Sequence, residues 1–177
     1  IMQLEKNKIE ELRNLLATPQ RIVILAHTNP DGDAIGSSLA WAELLKSEGH
    51  DVTCIVPNRY PYYLDFMPHS DTMVIYKSDS EGKAAKAVKG ADVIFCLDFH
   101  TMSRLDGLSE LLDENQHAKR VLIDHHLDPM EDFDIMLSYP KASSTCYLVA
   151  LIIENLYGAE RITTDMAENL FVGMMTD

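Results

Sequence analysis

The residues best suited to chemistry are imidazoles and carboxylates that follow short apolar segments of the chain. In the letters IVILAHTNPDGD, the apolar run IVILA is followed by one histidine and two aspartates. Two later segments end in the letters CLDFH and IDHH. The candidate residues are His27, Asp31, Asp33, Asp98, Asp124, His125 and His126.

Carboxylates crowded into one place repel each other and take up protons unless a cation compensates them. A mixed set of imidazoles and carboxylates suits Mn²⁺, with Mg, Co or Fe as alternatives, and differs from a thiolate zinc site. The candidates outnumber the ligands that one ion needs. Two divalent metals about 3.5–4 Å apart are the arrangement that activates water and stabilises the leaving oxygen in phosphoester hydrolysis.

Each motif taken alone also has a purely structural interpretation. The letters NPDGD are typical of a turn, in which Asp33 could cap a helix that begins at Ala34. Asp98 could cap a loop, and three polar residues such as DHH are common on surfaces. The structural interpretations fail jointly, because a turn does not explain His27 or the polar groups that close the two later segments. The set as a whole therefore favours a metal site.

Periodicity predicts the elements that must position these side chains. Short β-branched runs alternate with amphipathic patterns, which indicates an α/β fold with a doubly wound, mostly parallel sheet of about five strands and helices on both faces. Ligands of such sheets bind at the carboxyl ends of the strands. The predicted strands are Arg21–His27, Asp51–Val56, Thr72–Tyr76, Asp92–Asp98 and Arg120–His126. The predicted helices are Lys6–Leu16, Ala34–Ser47, Ser80–Val88, Leu108–Glu114, Ser144–Leu156 and Thr164–Met175.

The remaining polar residues carry no site in this interpretation. Pro57–Ser70 is predicted to be a crossover connection, and Met130–Asp134 a solvated loop. Ser143 or Ser144 is predicted to cap the following helix, although either could orient a ligand. His100 is assigned to a loop, and the histidines predicted to be solvated are His50, His69 and His117.

Composition excludes several classes of protein. The 177 residues are enough for one domain with a sizeable core, and a net charge of −13 argues against a broad grip on long nucleic acid. The three cysteines are far apart and predicted to be buried and reduced, which suits a cytoplasmic protein. No apolar run approaches the length of a membrane span.

Four motifs in order, HTNPDGDAIGSS, the Asp of CLDFH, DHH and the terminal GMMTD, resemble those of the DHH phosphoesterase superfamily over essentially the whole chain. The resemblance implies that His27, Asp31 and Asp98 hold one metal. It implies that a second metal is held by Asp33, Asp98, His125 and Asp177, with Asp98 as the bridge. Two further roles are implied: His126 faces the substrate phosphate, and Asp124 supports the site through a hydrogen bond to an imidazole.

Within that superfamily the chain looks most similar to the nanoRNase/pAp-phosphatase branch. The resemblance implies hydrolysis of short oligonucleotides or 3′,5′-bisphosphorylated adenosine by a metal-bridging hydroxide. It also implies that residues 1–177 are the catalytic domain, and that the family's smaller C-terminal substrate domain is absent, which puts the activity of this chain alone in question. The expected partners are a short nucleotide substrate and a second copy in a homodimer, without long nucleic acid or membrane.

Other functions remain open at this point. Rivals with the same chemistry are a cyclic-dinucleotide phosphodiesterase, a single-strand exonuclease, and a pyrophosphatase or exopolyphosphatase. A rival of another class is a nucleotide- or metal-binding module without catalysis.

Overall fold

The computed structural model describes residues 2–177, whose central feature is a six-stranded sheet. All five neighbouring pairs of strands are parallel, and the strand order is β3-β2-β1-β4-β5-β6. The strands are β1 (Arg21–Leu25), β2 (Asp51–Val56), β3 (Val74–Ile75), β4 (Val93–Leu97), β5 (Lys119–Asp124) and β6 (Ile135–Ser138). The predicted α/β class with a parallel sheet is confirmed.

Six α-helices connect and cover these strands. Their bounds are α1 (Lys6–Leu15), α2 (Gly32–Ser47), α3 (Lys83–Gly90), α4 (Leu108–Glu114), α5 (Thr145–Tyr157) and α6 (Thr164–Thr176). The crossover after β2 contains a short 3₁₀ turn at Tyr62–Leu64, as expected for an irregular connection. None of the helices in the described part of the chain is long and apolar enough to cross a membrane.

Apolar side chains lie on both faces of the sheet, and helices cover both faces. Along β1, Ile22 and Ile24 face the cluster that contains α1, α2, α5 and α6 residues, whereas Val23 and Leu25 face the cluster that contains α3 and α4 residues. This alternation follows from the two-residue period of a strand. On the first face Trp41 packs edge-on against Phe95, with ring centroids 5.5 Å apart.

Helices α2 and α6 pack unusually closely. A Cβ on Gly36 would lie 2.3 Å from the backbone oxygen of Asn169, and one on Gly32 would lie 2.3 Å from Oγ1 of Thr176. The early residues of α2 therefore meet the late residues of α6, so the two helices run antiparallel. Glycine permits this approach because it lacks a side chain.

The sequence missed the sixth strand. β6 is only four residues long and pairs with β5 alone, so it has neither the length nor the continuous apolar run of the central strands. It follows directly on Met130–Asp134, which was expected to be a solvated loop. Asp134 in fact accepts a hydrogen bond from the Arg120 backbone at 2.9 Å, which anchors this connection beside β5.

One histidine differs from its prediction. His50 is 6 % exposed rather than solvated, and its Nδ1 accepts a hydrogen bond of 3.0 Å from the backbone N–H of Gln20. It follows the turn that ends α2, and burial lowers its pKa. His69 and His117 are exposed as predicted. The cysteines are buried and free, also as predicted: Cys54, Cys96 and Cys146.

Candidate metal centre

The candidate residues lie at the carboxyl edge of the sheet, around the place where the strand order reverses. β1 pairs with β2 on one side and with β4 on the other, so the connections from β1 and β4 leave in opposite directions. Such a switch point leaves a crevice between the two connections, and it is the usual ligand site of a doubly wound sheet. His27 follows β1 and Asp98 follows β4, which places both residues in this crevice.

The connection after β1 is a turn that also starts α2. The carboxylate of Asp31 caps this helix, because its Oδ1 accepts a 2.9 Å hydrogen bond from the backbone N–H of Ala34. The prediction that Asp33 is the cap and that the helix begins at Ala34 is therefore wrong. The helix begins at Gly32, since Asp31 is two residues closer to the strand and has the extended backbone that a cap requires.

Asp33 is instead fully buried in the first turn of α2, with 0 % exposure. Its two oxygens accept hydrogen bonds from the backbone N–H groups of Thr145 and Cys146, at 2.9 and 2.8 Å. Those N–H groups belong to the first turn of α5, where unpaired donors and the helix dipole favour a negative charge. The N-terminus of α5 thus holds the Asp33 carboxylate in place.

Asp98 is the residue that joins the two halves of the cluster. Its Oδ2 lies 3.3 Å from Nε2 of His27, and its Oδ1 lies 3.5 Å from Nε2 of His125. Thr145 donates a 3.0 Å hydrogen bond from Oγ1 to Oδ1 as well. Asp98 has a φ of +66°, a backbone conformation that costs energy in a residue other than glycine. This carboxylate therefore points one oxygen toward each imidazole.

The imidazole of His125 is surrounded by carboxylates. Its Nε2 lies 3.6 Å from Asp33, 3.5 Å from Asp98 and 3.6 Å from Asp177, each measured to a carboxylate oxygen. The nitrogen is buried and has no hydrogen-bond partner among the residues that the structure describes. A nitrogen left unpaired among three carboxylate oxygens is the arrangement expected where a cation binds all four groups.

His126 and Asp124 form a pair beside this cluster. Nδ1 of His126 lies 2.6 Å from Oδ1 of Asp124, which is fully buried. The imidazole that Asp124 supports is thus His126 and not His125. The ring of His126 also stacks on His100 at a centroid distance of 5.0 Å. The contact with Asp124 uses Nδ1 of His126, so Nε2 can bind another ligand.

The side chains form three overlapping groups whose ligand atoms lie within 4.8 Å of one another. The structure therefore brings together every residue that the sequence singled out for metal binding. The groups also allow His126 to be a metal ligand, in addition to the phosphate contact expected of it. They are His27, Asp31 and Asp98; Asp33, His125 and Asp177; and Asp98, His125 and His126.

The donor chemistry fits one or two divalent cations. A ligand atom binds such an ion at about 2.0–2.2 Å, so two neighbouring ligand atoms are about 3.0–3.6 Å apart. The distances from Asp98 to both imidazoles and from His125 to its three carboxylates are close to this range. Only the 3.8 Å from His27 Nε2 to Asp31 Oδ1 is longer. The described ligands are nitrogen and oxygen atoms, which agrees with Mn²⁺ or a similar ion.

The pKa values of the site indicate that the carboxylates require a neighbouring positive charge. The contact with Asp98 and the negative charges of Asp98, Asp33 and Asp177 raise the pKa of His125 to about 9. Partial burial of the imidazole opposes this shift. Burial and the neighbouring charge of Asp98 raise the pKa of Asp33 to about 7. Burial opposes the ionised form of Asp98, but contacts from His125 and His27 outweigh it and lower its pKa. Without metal, protons take the place of the cation.

His27 has its second nitrogen fixed by the backbone. Nδ1 lies 2.7 Å from the carbonyl oxygen of Thr28 and 2.9 Å from the Arg104 guanidinium, which can only donate. In the tautomer that donates to Thr28, Arg104 makes no hydrogen bond with Nδ1, and the lone pair of Nε2 is directed at the carboxylates. This is the tautomer that a metal ligand requires. Burial lowers the pKa of His27, but the contacts with Asp98 and Thr28 outweigh this effect and raise it.

Two residues at the site have no signal in the sequence that predicts their role. Thr145 donates to Asp98 and Asp33, although the sequence pointed only to the adjacent serines, of which Ser144 caps α5 through a 3.0 Å bond from Tyr147. The guanidinium of Arg104 lies 2.9 Å from Nδ1 of His27. Arg104 is the cation nearest in sequence after Asp98, but a single arginine in a loop is too common to predict a contact with a residue of another strand.

Comparison with known proteins identifies relatives of the whole chain. The family model "DHH family, N-terminal domain" matches residues 21–174. Two curated relatives are bifunctional oligoribonuclease and PAP phosphatases, NrnA. The protein of Mycoplasma genitalium is 24 % identical, and the match covers 98 % of this chain and 51 % of the relative. The protein of Thermus thermophilus is 29 % identical, and the match covers 92 % of this chain and 45 % of the relative. The chain thus spans about half the length of these relatives.

Solved structures agree on the fold. An exopolyphosphatase-related protein from Bacteroides fragilis superposes with a TM-score of 0.94 at 35 % identity, over 99 % of this chain and 51 % of its own. A manganese-bound exonuclease RecJ superposes with a TM-score of 0.53 at 18 % identity, over 98 % and 43 %. The second likeness concerns the fold alone.

Proposed function

The chain belongs to the DHH family, and we propose that it hydrolyses phosphoester bonds in short oligonucleotides or 3′,5′-bisphosphorylated adenosine with the help of two divalent metals. The observation that carries this proposal is the placement of Asp98, whose two oxygens face two different imidazoles. A carboxylate in this position can bridge two ions. The similarity to NrnA supports the choice of substrate.

The first ion would be held by His27, Asp31 and Asp98, and the second by Asp33, Asp98, His125 and Asp177. Bound divalent metals would lower the pKa of a water molecule and neutralise charge on the phosphate. Mn²⁺ is the proposed ion, because the ligands mix imidazole and carboxylate and because a RecJ structure of the same fold binds manganese.

The protein's own residues would perform the remaining tasks. Asp124 is fully buried and contacts Nδ1 of His126, which would leave Nε2 to bind the substrate phosphate. The N-terminus of α5 fixes the carboxylates through Thr145 and Cys146, so their positions need not change when substrate binds. Arg104, at the edge of the site, would supply a positive charge for a phosphate oxygen.

Short substrates also fit the charge of the protein. A net charge of −13 opposes the binding of a long nucleic-acid backbone, which requires many lysines and arginines. A substrate with one or two phosphates at the centre needs only the local positive charge of the metals and of Arg104.

A second candidate function is hydrolysis of pyrophosphate or polyphosphate. It is favoured by the 35 % identity to a protein described as exopolyphosphatase-related. The same ligands would serve it, because the bond cleaved again joins phosphorus to a bridging oxygen.

The test is a panel of substrates assayed on the natural full-length protein with added Mn²⁺. The panel compares 3′,5′-bisphosphorylated adenosine, di- and trinucleotides, cyclic dinucleotides, pyrophosphate and polyphosphate. We expect turnover of the first two classes and little of the others. Preferred turnover of pyrophosphate or polyphosphate would support the second candidate. Binding of Mn²⁺ without turnover of any of these compounds would refute the enzymatic proposal and leave a binding module.

A further inference from the structure

A second group of metal-binding side chains lies at the opposite end of the helix pair α2 and α6. Asp33 near the start of α2 and Asp177 after the end of α6 belong to the candidate metal centre. At the other end of the same pair, Glu43 of α2 approaches Asp165 of α6, together with His69 of the crossover loop. Glu43 is ten positions after Asp33, about 15 Å along the helix. The two groups are therefore separate.

The three side chains converge on one point. Nε2 of His69 lies 3.0 Å from Oδ2 of Asp165 and 3.6 Å from Oε1 of Glu43. All three ligand atoms lie within 4.8 Å of one another. Ligand atoms that share a transition metal are about 3.0–3.6 Å apart, since each lies about 2.0–2.2 Å from the ion. The spacing from His69 to both carboxylates is that of a metal site.

One oxygen of this group has no protein partner. Oε2 of Glu43 accepts a 2.5 Å hydrogen bond from Oγ1 of Thr163, which fixes the orientation of the carboxylate. Oε1 then lies near His69; this oxygen is buried, although the Glu43 side chain is 23 % exposed, and it has no hydrogen-bond partner in the described part of the chain. A buried carboxylate oxygen without a partner is costly, and a bound cation would remove that cost.

The group has two carboxylates but only one imidazole, which can balance at most one of the two negative charges. Within residues 2–177, neither Glu43 nor Asp165 forms an ion pair with lysine or arginine, and both share the single imidazole of His69. A hydrogen bond between His69 and Asp165 explains the 3.0 Å distance. It does not explain why Glu43 presents a buried oxygen to the same nitrogen at 3.6 Å, too far for a hydrogen bond.

The loop that carries His69 is attached to α6. Asn169 donates a 3.0 Å hydrogen bond from Nδ2 to the carbonyl oxygen of Pro68, the residue before His69. The carbonyl oxygen of His69 accepts a second hydrogen bond, of 2.6 Å, from Oγ1 of Thr72. These bonds hold the imidazole beside the helix pair before any ion binds.

We propose that Glu43, His69 and Asp165 form a peripheral site for a divalent transition metal, distinct from the candidate metal centre. One imidazole and two carboxylates suit Zn²⁺, Co²⁺ or Mn²⁺ better than Ca²⁺, which prefers oxygen ligands alone. An ion at this site ties α2, α6 and the crossover loop together at the end far from Asp33 and Asp177. Its effect is to stabilise the helix pair that carries those two ligands.

The test counts bound Zn²⁺ per chain by equilibrium dialysis in matched variants. His69→Asn removes the central ligand, and His117→Asn removes another exposed histidine that lies in a different part of the chain. We expect His69→Asn to bind one Zn²⁺ fewer than the wild type, and His117→Asn to bind the same number. Equal Zn²⁺ counts in both variants would overturn the proposal and leave a hydrogen bond between His69 and Asp165.

A second measurement separates this site from the candidate metal centre. In an Asp98→Asn background, Zn²⁺ is expected to raise Tm through the peripheral site. Adding Glu43→Gln, which can still accept the Thr163 hydrogen bond but loses its charge, should reduce that rise, whereas adding His117→Asn should not. A rise in Tm of the same size with and without Glu43→Gln and His69→Asn would refute the assignment. The comparison does not depend on catalytic activity, so a failure of the proposed function would not affect it.

Discussion

Among single residues, Asp98 and His125 have the largest effect on the charge balance of the candidate metal centre. Asp98 is 3 % exposed and faces an imidazole with each oxygen, whereas Nε2 of His125 faces three carboxylates. Neither arrangement is stable as a set of bare charges, because buried carboxylates repel each other. The residues are compatible with each other only when protons or metal ions lie among them.

The first prediction concerns Asp98. Asp98→Asn keeps the shape of the side chain but removes the charge between the two halves of the centre. We expect metal affinity and phosphoesterase activity to fall by about 100-fold or more, beyond the 10–100-fold typical of residues that only orient a ligand. Titration with Mn²⁺ and single-turnover assays measure the two effects. Asp113→Asn, an exposed aspartate of α4, is the matched control, and near-normal turnover of Asp98→Asn would place the site elsewhere.

The second prediction concerns protons displaced by the metal. The pKa of His125 is about 9 without metal, so its imidazole is protonated at pH 7 and must lose that proton to bind an ion. Metal binding should therefore release protons at pH 7 and become tighter as the pH rises toward 9. Calorimetry in two buffers of different ionisation enthalpy measures the number released. A binding enthalpy that is the same in both buffers would contradict the prediction.

At the scale of elements, two contacts between helices position the carboxylates. The N-terminus of α5 holds Asp33, and the close antiparallel packing of α2 against α6 brings Asp177 to His125. A Cβ on Gly173 would lie 3.1 Å from the Cα of Asp33, so the two helices also pack closely next to the site itself. The distance between these helices therefore determines whether Asp33 and Asp177 can share one ion.

The third prediction tests that packing with Gly36→Ala. The added methyl group would lie 2.3 Å from the backbone oxygen of Asn169, which cannot move without shifting α6. We expect the free energy of unfolding to fall by about 1–3 kcal/mol, as is typical of overpacking. Metal affinity should fall as well, because Asp177 moves away from His125. Denaturant unfolding and Mn²⁺ titration measure these effects.

Gly90→Ala is the control for that prediction. Gly90 ends α3, and its added methyl group would meet only the flexible end of the Arg21 side chain, at 3.3 Å. This substitution should change stability little and leave metal affinity unchanged. If Gly36→Ala behaves like Gly90→Ala, the helix spacing does not control the site.

At the scale of the whole molecule, folding concentrates part of the negative charge of the chain at the carboxyl edge of the sheet. The net charge is −13, and the carboxylates brought together at the site come from separate parts of the chain. Folding without metal must therefore overcome repulsion that the unfolded chain does not have. The stability of the protein should depend on metal and on pH together.

The fourth prediction follows from the sign of two pKa shifts. His125 has a pKa of 6.5 unfolded and about 9 folded, so its contribution to stability is complete below pH 6.5 and is lost as the pH rises to 9. The raised pKa of Asp33, about 7, also makes the folded state less favourable as the pH rises toward neutrality. The Tm of metal-free protein should therefore fall between pH 6 and pH 9.

Bound metal should cancel that fall. Thermal unfolding with EDTA and with Mn²⁺, at several pH values between 6 and 9, measures both curves. We expect the stabilisation by Mn²⁺ to be largest at the alkaline end, where protons no longer compensate the carboxylates. A metal-free Tm that stays constant or rises over this range would show that other groups control the stability.

The class of fold, the strands β1 to β5 and the polar residues that follow three of them could be predicted from the sequence. This was possible because strand and helix periods are local, and because the carboxyl ends of parallel strands always share one edge. The family motifs added Asp177, which has no local signal. The sixth strand was missed because its segment IMLS has only three consecutive apolar residues and directly follows an acidic loop.

The contacts between the side chains of the site are visible only in the tertiary structure. It showed that Asp31 caps α2 while Asp33 reaches α5, that Thr145 supports Asp98, and that Asp124 pairs with His126. It also brought Glu43, His69 and Asp165 together from three distant segments. Contacts of this kind depend on the packing distance and rotation of whole elements, which are set by the core as a whole and are not encoded in any short stretch of residues.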